Sequence, residues 1–251
     1  SRITYCCGNA VLNACEDVKE QLFELASLKL NVYKKYLKLE NGYMVSIMYP
    51  DKKVAIKDLA LGITMPDGSG VHGPIIGRGS FIPPNVMDFD METGMGDKPV
   101  AFWTYGANGV EVEVDTLTGH VKVLKVAACY DVGKVINPCL IEGQVEGAIV
   151  QGIGSALMEE LILKDGIAKN ASFMDYKIPT ADDMPEMIVK FVENPEEYGP
   201  FGARGVAEPA MIPSAPAVVN AINNALDVKF TSIPVTPEKI IMALKEKEMK
   251  A

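Results

Sequence analysis

Apolar and polar positions along the chain repeat with two different periods. From Gly8 to Ala26, Val11, Leu12, Cys15, Val18, Leu22, Phe23 and Leu25 return at helical spacing with charges between them, which predicts an amphipathic helix. Strand-like segments follow at Tyr36–Leu39 and Tyr43–Ile47, joined through Asn41-Gly42, a strong hairpin signal. Val54 to Leu61 reads as a short helix. Gly62 to Gly79, with Pro66, Gly68, Gly70, Gly73, Pro74 and Gly77, reads as a long loop.

The texture changes at Pro99. Val110 to Val114 alternates apolar with charged, Thr116 to Gly119 is a turn, and Val121 to Val126 is a second strand, together predicting an antiparallel hairpin. Ile141 to Glu160 has helical periodicity, and strands are expected near Leu161–Leu163 and at Met187–Val192. After the glycine-rich stretch Gly199 to Pro213, Ser214 reads as an N-cap for a helix bearing Val218, Val219, Ile222, Ala225 and Leu226. Thr236 before Pro237 opens a last helix. Hairpins mixed with helices, without βαβ units, indicate an α+β fold of mixed or antiparallel sheets with packed helices. The break near residue 98 suggests two subdomains, residues 1–98 and residues 99–251, the second carrying Gln144 and Glu208.

Composition removes several classes of function. An apolar fraction of 48% and a charged fraction of 23% are those of a globular protein with a real core. The formal net charge is −9 and the 24 basic residues are scattered, so there is no stripe to displace phosphate counterions, and nucleic acid is not an expected partner. The apolar stretches are too short to span a bilayer and the first ten residues lack an apolar signal core, so a cytoplasmic protein with no membrane partner is expected. Five cysteines without CxxC spacing argue against zinc, a disulfide framework or an iron–sulfur cluster held by this chain alone. His72 and His120 stand alone, without convergent ligands.

Three stretches could carry chemistry. Ser1-Arg2-Ile3-Thr4, just before a helix, could hold an anion on unpaired N–H groups, or could simply cap the helix. In the helix after Asn137-Pro138, Gly143, Gly147, Gly152 and Gly154 each cost about 1 kcal/mol against Ala, so something should pack unusually close to the backbone. Gln144 and Gln151 lie on one face of that helix and offer donors and acceptors suited to a heteroaromatic edge; tight helix packing with solvated amides is the alternative. Arg204-Gly205-Val206-Ala207-Glu208-Pro209 sets one carboxylate in an apolar loop. Burial there would disfavour the ionised form and ready Glu208 as a base near neutral pH, whereas a surface glutamate beside a helix start would do nothing of the kind.

Taken together, the motifs resemble the xanthine dehydrogenase/oxidase family of molybdenum hydroxylases. The resemblance is carried by Gly143-Gln-Val-Glu-Gly-Ala-x-Val-Gln-Gly-x-Gly154, Asp131-Val-Gly-x-x-x-Asn-Pro138, Gly205-Val-x-Glu-Pro209, Thr236-Pro-Glu-Lys239, Phe102-x-Thr-Tyr-Gly106 and Ser1-Arg-x-Thr4. Their order matches the C-terminal part of the molybdopterin-binding subunit from end to end. Two mild departures are Ala207, where the family often has Gly, and Ala210, where a second Pro often follows.

The resemblance implies that Glu208 is the catalytic base and that Gln144 hydrogen-bonds a pterin. It also implies that Ser1, Arg2, Ile3, Thr4 and Asn137 line the cofactor, while Arg204, Gly205, Val206 and Ala207 approach it from the base's side. Gln144, Asn137 and Ser1 to Thr4 are therefore expected around one cavity. The implied cofactor is molybdenum–molybdopterin as its cytosine dinucleotide, with [2Fe–2S] and FAD on partner domains or subunits. The implied reaction hydroxylates an electron-poor carbon of a purine, N-heterocycle or aldehyde with water as oxygen source. The family's first half of the molybdenum subunit, its iron–sulfur domains and its flavin domain are not in this sequence. A piece of a longer protein or one subunit of a split enzyme is expected, inactive without its partners. Other readings are a noncatalytic binding or assembly module that keeps the fold, and a carbon monoxide dehydrogenase-like relative.

Overall fold

A computed structural model describes residues 2–84 and 86–249. Its compact units are residues 2–84 and residues 85–251, so the division falls ahead of the change of texture near residue 98.

The first unit opens on helix. Ile3–Cys7 form a π-helical turn that runs directly into α1, Gly8–Leu30. Arg2, Ile3 and Thr4, expected just before the helix, are themselves helical and exposed, and Gly8 keeps right-handed φ and ψ and does not interrupt the turn. α1 ends on Asn31 in the left-handed conformation, whose N–H satisfies a terminal carbonyl. Strands β1 (Leu37–Glu40), β2 (Tyr43–Ser46) and β3 (Lys53–Ala55) form an antiparallel meander, with Asn41 and Gly42 both at positive φ as a tight two-residue turn requires. The helix expected over Val54–Leu61 is instead β3 followed by one 3-10 turn, Ile56–Asp58. A short apolar run has no period of its own, and pairing with β2 decided it. In the Gly/Pro-rich loop a two-residue ladder joins β4 (Ile63–Thr64) to β5 (Gly70–Val71). Leu22, Leu25 and Ala26 of α1 pack with Leu37, Met44, Val54, Leu59 and Ile63 as the core of this unit.

The second unit is built on β6 (Gly106–Val114) and β7 (Val121–Asp131), the expected antiparallel hairpin. Leu124 is the extra residue of a bulge opposite Glu111/Val112, and it lets Val123 and Val126, three apart, both face the core. Helix α2, Pro138–Leu157, follows, then the small hairpin β8 (Leu163–Lys164) and β9 (Ile167–Ala168). β10 (Glu186–Val192) pairs with β7 in parallel, giving the order β10-β7-β6. The chain therefore contains one β–α–β connection that was not expected, because side-chain alternation marks a strand but carries no sign of its partner's direction. Helices α3 (Ser214–Leu226) and α4 (Pro237–Glu248) complete the unit. α2 packs on α3 and on β10, and α3 on β6, burying Val145, Ile149, Ile153, Val218, Ile222 and Ile240 with Val126, Tyr130 and Val132. Among the described residues, no helix is long and apolar enough to cross a membrane.

Candidate functional site

Glu208 stands at the start of a single 3-10 turn, Glu208–Ala210, with Pro209 in its first turn. The loop that brings the chain there is fastened to the end of β7. Arg204 Nη1 donates to Asp131 Oδ2 at 2.5 Å, and Arg204 Nε donates to Glu196 Oε2 at 3.1 Å. All three side chains are largely buried. The other Asp131 oxygen accepts from Gly133 N at 3.0 Å, the Arg204 amide donates to Val132 O at 2.9 Å, and Gly133 bridges to Ala203. Two carboxylates around one guanidinium, Asp131 with further donors from Gly133 and Asn194, satisfy groups whose desolvation would otherwise be costly. The Asp131 and Glu208 motifs are therefore one structural piece. Arg204 commits its Nη1 and Nε to this joint.

Beyond Glu208 the turn is held a second time. The carbonyl of Ala210 accepts from Ser214 Oγ at 2.8 Å and from Tyr130 Oη at 3.2 Å. The single Tyr130 proton is shared between that carbonyl and Asn108 Oδ1, the nearer acceptor at 2.7 Å, and Asn108 Nδ2 donates to Ser214 Oγ at 2.8 Å. Burial holds the Tyr130 phenol above its usual pKa, the Asn108 hydrogen bond opposing that more weakly. Ser214 is not the N-cap, which is Pro213; it is the first helical residue, and its hydroxyl turns back to Ala210. On the near side, Thr104 Oγ1 donates to the buried Gly205's carbonyl at 3.2 Å, so the Phe102-x-Thr104 motif also backs this loop. Val206 packs against the core.

Glu208 itself is exposed. The burial expected from its apolar sequence neighbours is not met at this residue, since Val206 packs on the core and Ala210 is buried while Glu208 stays exposed. α2 packs directly against the Glu208–Ala210 turn, which brings the Gln144 helix and the base candidate together.

The glycines of α2 fall into two kinds. A Cβ on Gly152 would lie 2.2 Å from Ser214 Cβ, so Gly152 is what lets α2 meet the start of α3. A Cβ on Gly143 or Gly147 would meet nothing within 4 Å, and both are exposed, as are Gln144 and Gln151. The expected close packing is thus met within this chain at Gly152 and at Gly154, where a Cβ would lie 2.8 Å from Pro179, while Gly143, Gln144, Gly147 and Gln151 form an open face. Asn137 caps α2, its Oδ1 accepting from Leu140 N at 3.1 Å, which explains its place in the sequence without a ligand. Arg2, Ile3 and Thr4 are exposed at the start of the first unit, and Ser1 lies outside the described residues. A cavity of about 480 Å³ lined by His120, Val123, Ile153, Leu157 and Asp183 contains none of the expected site residues.

Sequence reasoning missed Tyr130, Asn108, Ser214 and Glu196 as parts of this site. Tyr130 adjoins Asp131 in a motif already noticed, but nothing in its local pattern distinguishes a strand tyrosine that packs from one that donates across to another loop.

The chain belongs to the molybdopterin cofactor-binding domain family, which residues 1–185 match. It is 32% identical over 250 residues, 98% of its length, to the nicotine 6-hydroxylase large subunit of Paenarthrobacter nicotinovorans, and covers 29% of that protein. It is 31% identical over 244 residues to the xanthine dehydrogenase molybdenum-binding subunit of Escherichia coli O157:H7, covering 96% of this chain and 30% of the relative. A crystal structure of a copper- and molybdenum-containing carbon monoxide dehydrogenase superposes with a TM-score of 0.76 over 98% of this chain and 29% of that one, at 24% identity. These matches bear out the resemblance carried by the motifs and the α+β class. The chain spans less than a third of the length of these relatives.

Proposed function

We propose that this chain is the C-terminal part of the molybdopterin-binding subunit of a molybdenum hydroxylase, with Glu208 as its base. The observation that carries the reading is the mounting of Glu208. Its carboxylate is exposed on a turn clamped at both sides, next to the helix whose open face bears Gln144.

The donor set of that face fits a pterin. The Gln144 amide offers two donors and an acceptor to a heteroaromatic edge, and the absence of side chains at Gly143 and Gly147 leaves room for a flat ring on the helix backbone. Ser1 to Thr4, Asn137 and the backbone of Gly205, Val206 and Ala207 are further cofactor neighbours in this reading, Asn137 holding its loop through the cap it makes. When bound, the molybdenum cofactor supplies the two-electron acceptor for substrate oxidation. Glu208 takes the proton from the water-derived oxygen that adds to an electron-poor carbon of a purine, N-heterocycle or aldehyde. The remaining part of the molybdenum subunit covers the open face and desolvates Glu208, which would adapt it to act near neutral pH. Iron–sulfur and flavin domains or subunits carry the electrons onward; the cytosine dinucleotide form of the cofactor and a cytoplasmic site rest on the resemblance alone.

A carbon monoxide dehydrogenase-like activity is the second reading, favoured by the structural match. At 24% identity that match carries the fold only, and the relatives at 31–32% identity favour hydroxylation of carbon. In the whole complex, Glu208→Gln should keep molybdenum and pterin content. It should slow reduction by xanthine, nicotine or benzaldehyde by about 10²–10⁴-fold, roughly 3–5 kcal/mol of barrier. Near-normal reduction would move the base elsewhere, and lost molybdenum would make Glu208 a structural residue.

A further inference from the structure

We infer that Tyr130 is a positioning residue for Glu208, acting through the carbonyl of Ala210. This rests on Glu208 being the base and goes beyond it by naming what sets the carboxylate's place.

The turn that bears Glu208 is only three residues long, and Pro209 at its centre has no N–H to anchor it. Its far end, Ala210, is fully buried, and its carbonyl accepts the Ser214 hydroxyl at 2.8 Å and, at 3.2 Å, the one Tyr130 proton that is shared with Asn108 Oδ1. Asn108 links the two hydroxyls, accepting from Tyr130 and donating to Ser214, so the four groups form a ring of polar contacts closed by the shared phenol proton. Ser214 begins α3 and Tyr130 lies near the end of the central strand β7, both 2% exposed or less, so the ring ties the turn to buried positions on α3 and β7. Tyr130 is specifically accommodated: a Cβ at Gly106 on the neighbouring strand would stand 2.1 Å from its ring. The ring contains no formal charge. It therefore governs where the Glu208 carboxylate stands rather than its charge.

Losing the shared phenol proton, which holds both Ala210 and Asn108, should let the turn shift by a fraction of an ångström to an ångström, and a misplacement of about 1 Å can cost about 10²-fold in rate. In the whole complex, Tyr130→Phe should slow reduction by the fastest of xanthine, nicotine and benzaldehyde by about 10–100-fold, with molybdenum content unchanged. Amide hydrogen exchange across residues 207–214 should speed up. Because Tyr130 acts through Glu208, adding Tyr130→Phe to Glu208→Gln should cost little more than Glu208→Gln alone. Ser214→Ala, which removes the second donor without opening a large cavity, should reproduce the pattern if Tyr130→Phe folds poorly.

A normal rate and unchanged exchange in Tyr130→Phe, with Glu208→Gln slow, would overturn the positioning role and leave the base intact. Equal slowing by Tyr130→Phe in the wild-type and Glu208→Gln backgrounds would also overturn it, since the phenol would then act elsewhere. A fast Glu208→Gln enzyme would remove the base and this inference with it.

Discussion

Arg204 and Asp131, 73 positions apart in the chain, meet with Nη1 at 2.5 Å from Oδ2, and Glu196 closes on the same guanidinium from the other side. The pair joins the end of the central strand to the loop that leads to Glu208. Removing the cation leaves two largely buried carboxylates facing each other, which typically costs about 3–5 kcal/mol. Arg204→Met should therefore lower the urea midpoint of the chain by a large step. A change within about 0.5 kcal/mol, the range of an ordinary surface substitution, would show that the joint is slack.

The two kinds of glycine in α2 should respond oppositely to alanine. At Gly152 the new methyl has no room against Ser214, and overpacking of this kind costs about 1–3 kcal/mol. At Gly143 and Gly147 the methyl meets nothing in this chain, so each substitution should stabilise the helix by up to about 1 kcal/mol. In the whole complex the same Gly143→Ala and Gly147→Ala variants should lose molybdenum if, as proposed, the open face receives the cofactor or its covering chain. Thermal melts of the chain beside metal analysis of the complex check both halves.

Asn137 allows its cap role to be separated from a ligand role. Asn137→Ala removes the acceptor for Leu140 N and should cost about 0.5–2 kcal/mol. Asn137→Asp keeps that acceptor and should restore stability. If Asn137→Asp also restores molybdenum content, the cap accounts for this residue; if it restores stability alone, the amide touches the cofactor.

Acid should loosen the loop after β7. Glu193 accepts from Lys134 Nζ at 3.1 Å and from Val135 N at 2.8 Å, and the Lys134 hydrogen bond, then the Val135 amide, hold its carboxyl below the usual glutamate value of 4.5. A carboxyl with a lowered folded pKa contributes stability above its unfolded value, and that contribution is lost as pH falls through the lowered one. Glu193→Gln should therefore lose stability at neutral pH and converge with the wild type in acid. Parallel denaturation curves at every pH would show that Glu193 holds nothing.

Much of this molecule was open to reading along the chain because it depends on local physics. Helical spacing from Gly8 onward, the Asn41-Gly42 turn, the alternation of β6 and Thr236 before Pro237 each report a backbone preference that needs no distant partner. The motifs around Asp131, Gly143 and Glu208 pointed to one kind of cofactor domain by their order alone. Tertiary structure decided what depends on meeting. β10 lies parallel to β7, Val54 joins a strand, and Arg204 turns to Asp131 and Glu196. Tyr130 reaches Ala210 across 80 positions, and Glu208 faces outward although its neighbours in sequence are apolar. Hydrogen-bond partners and burial are properties of what the folded chain brings alongside a residue, and no pattern confined to the residue's own segment carries them.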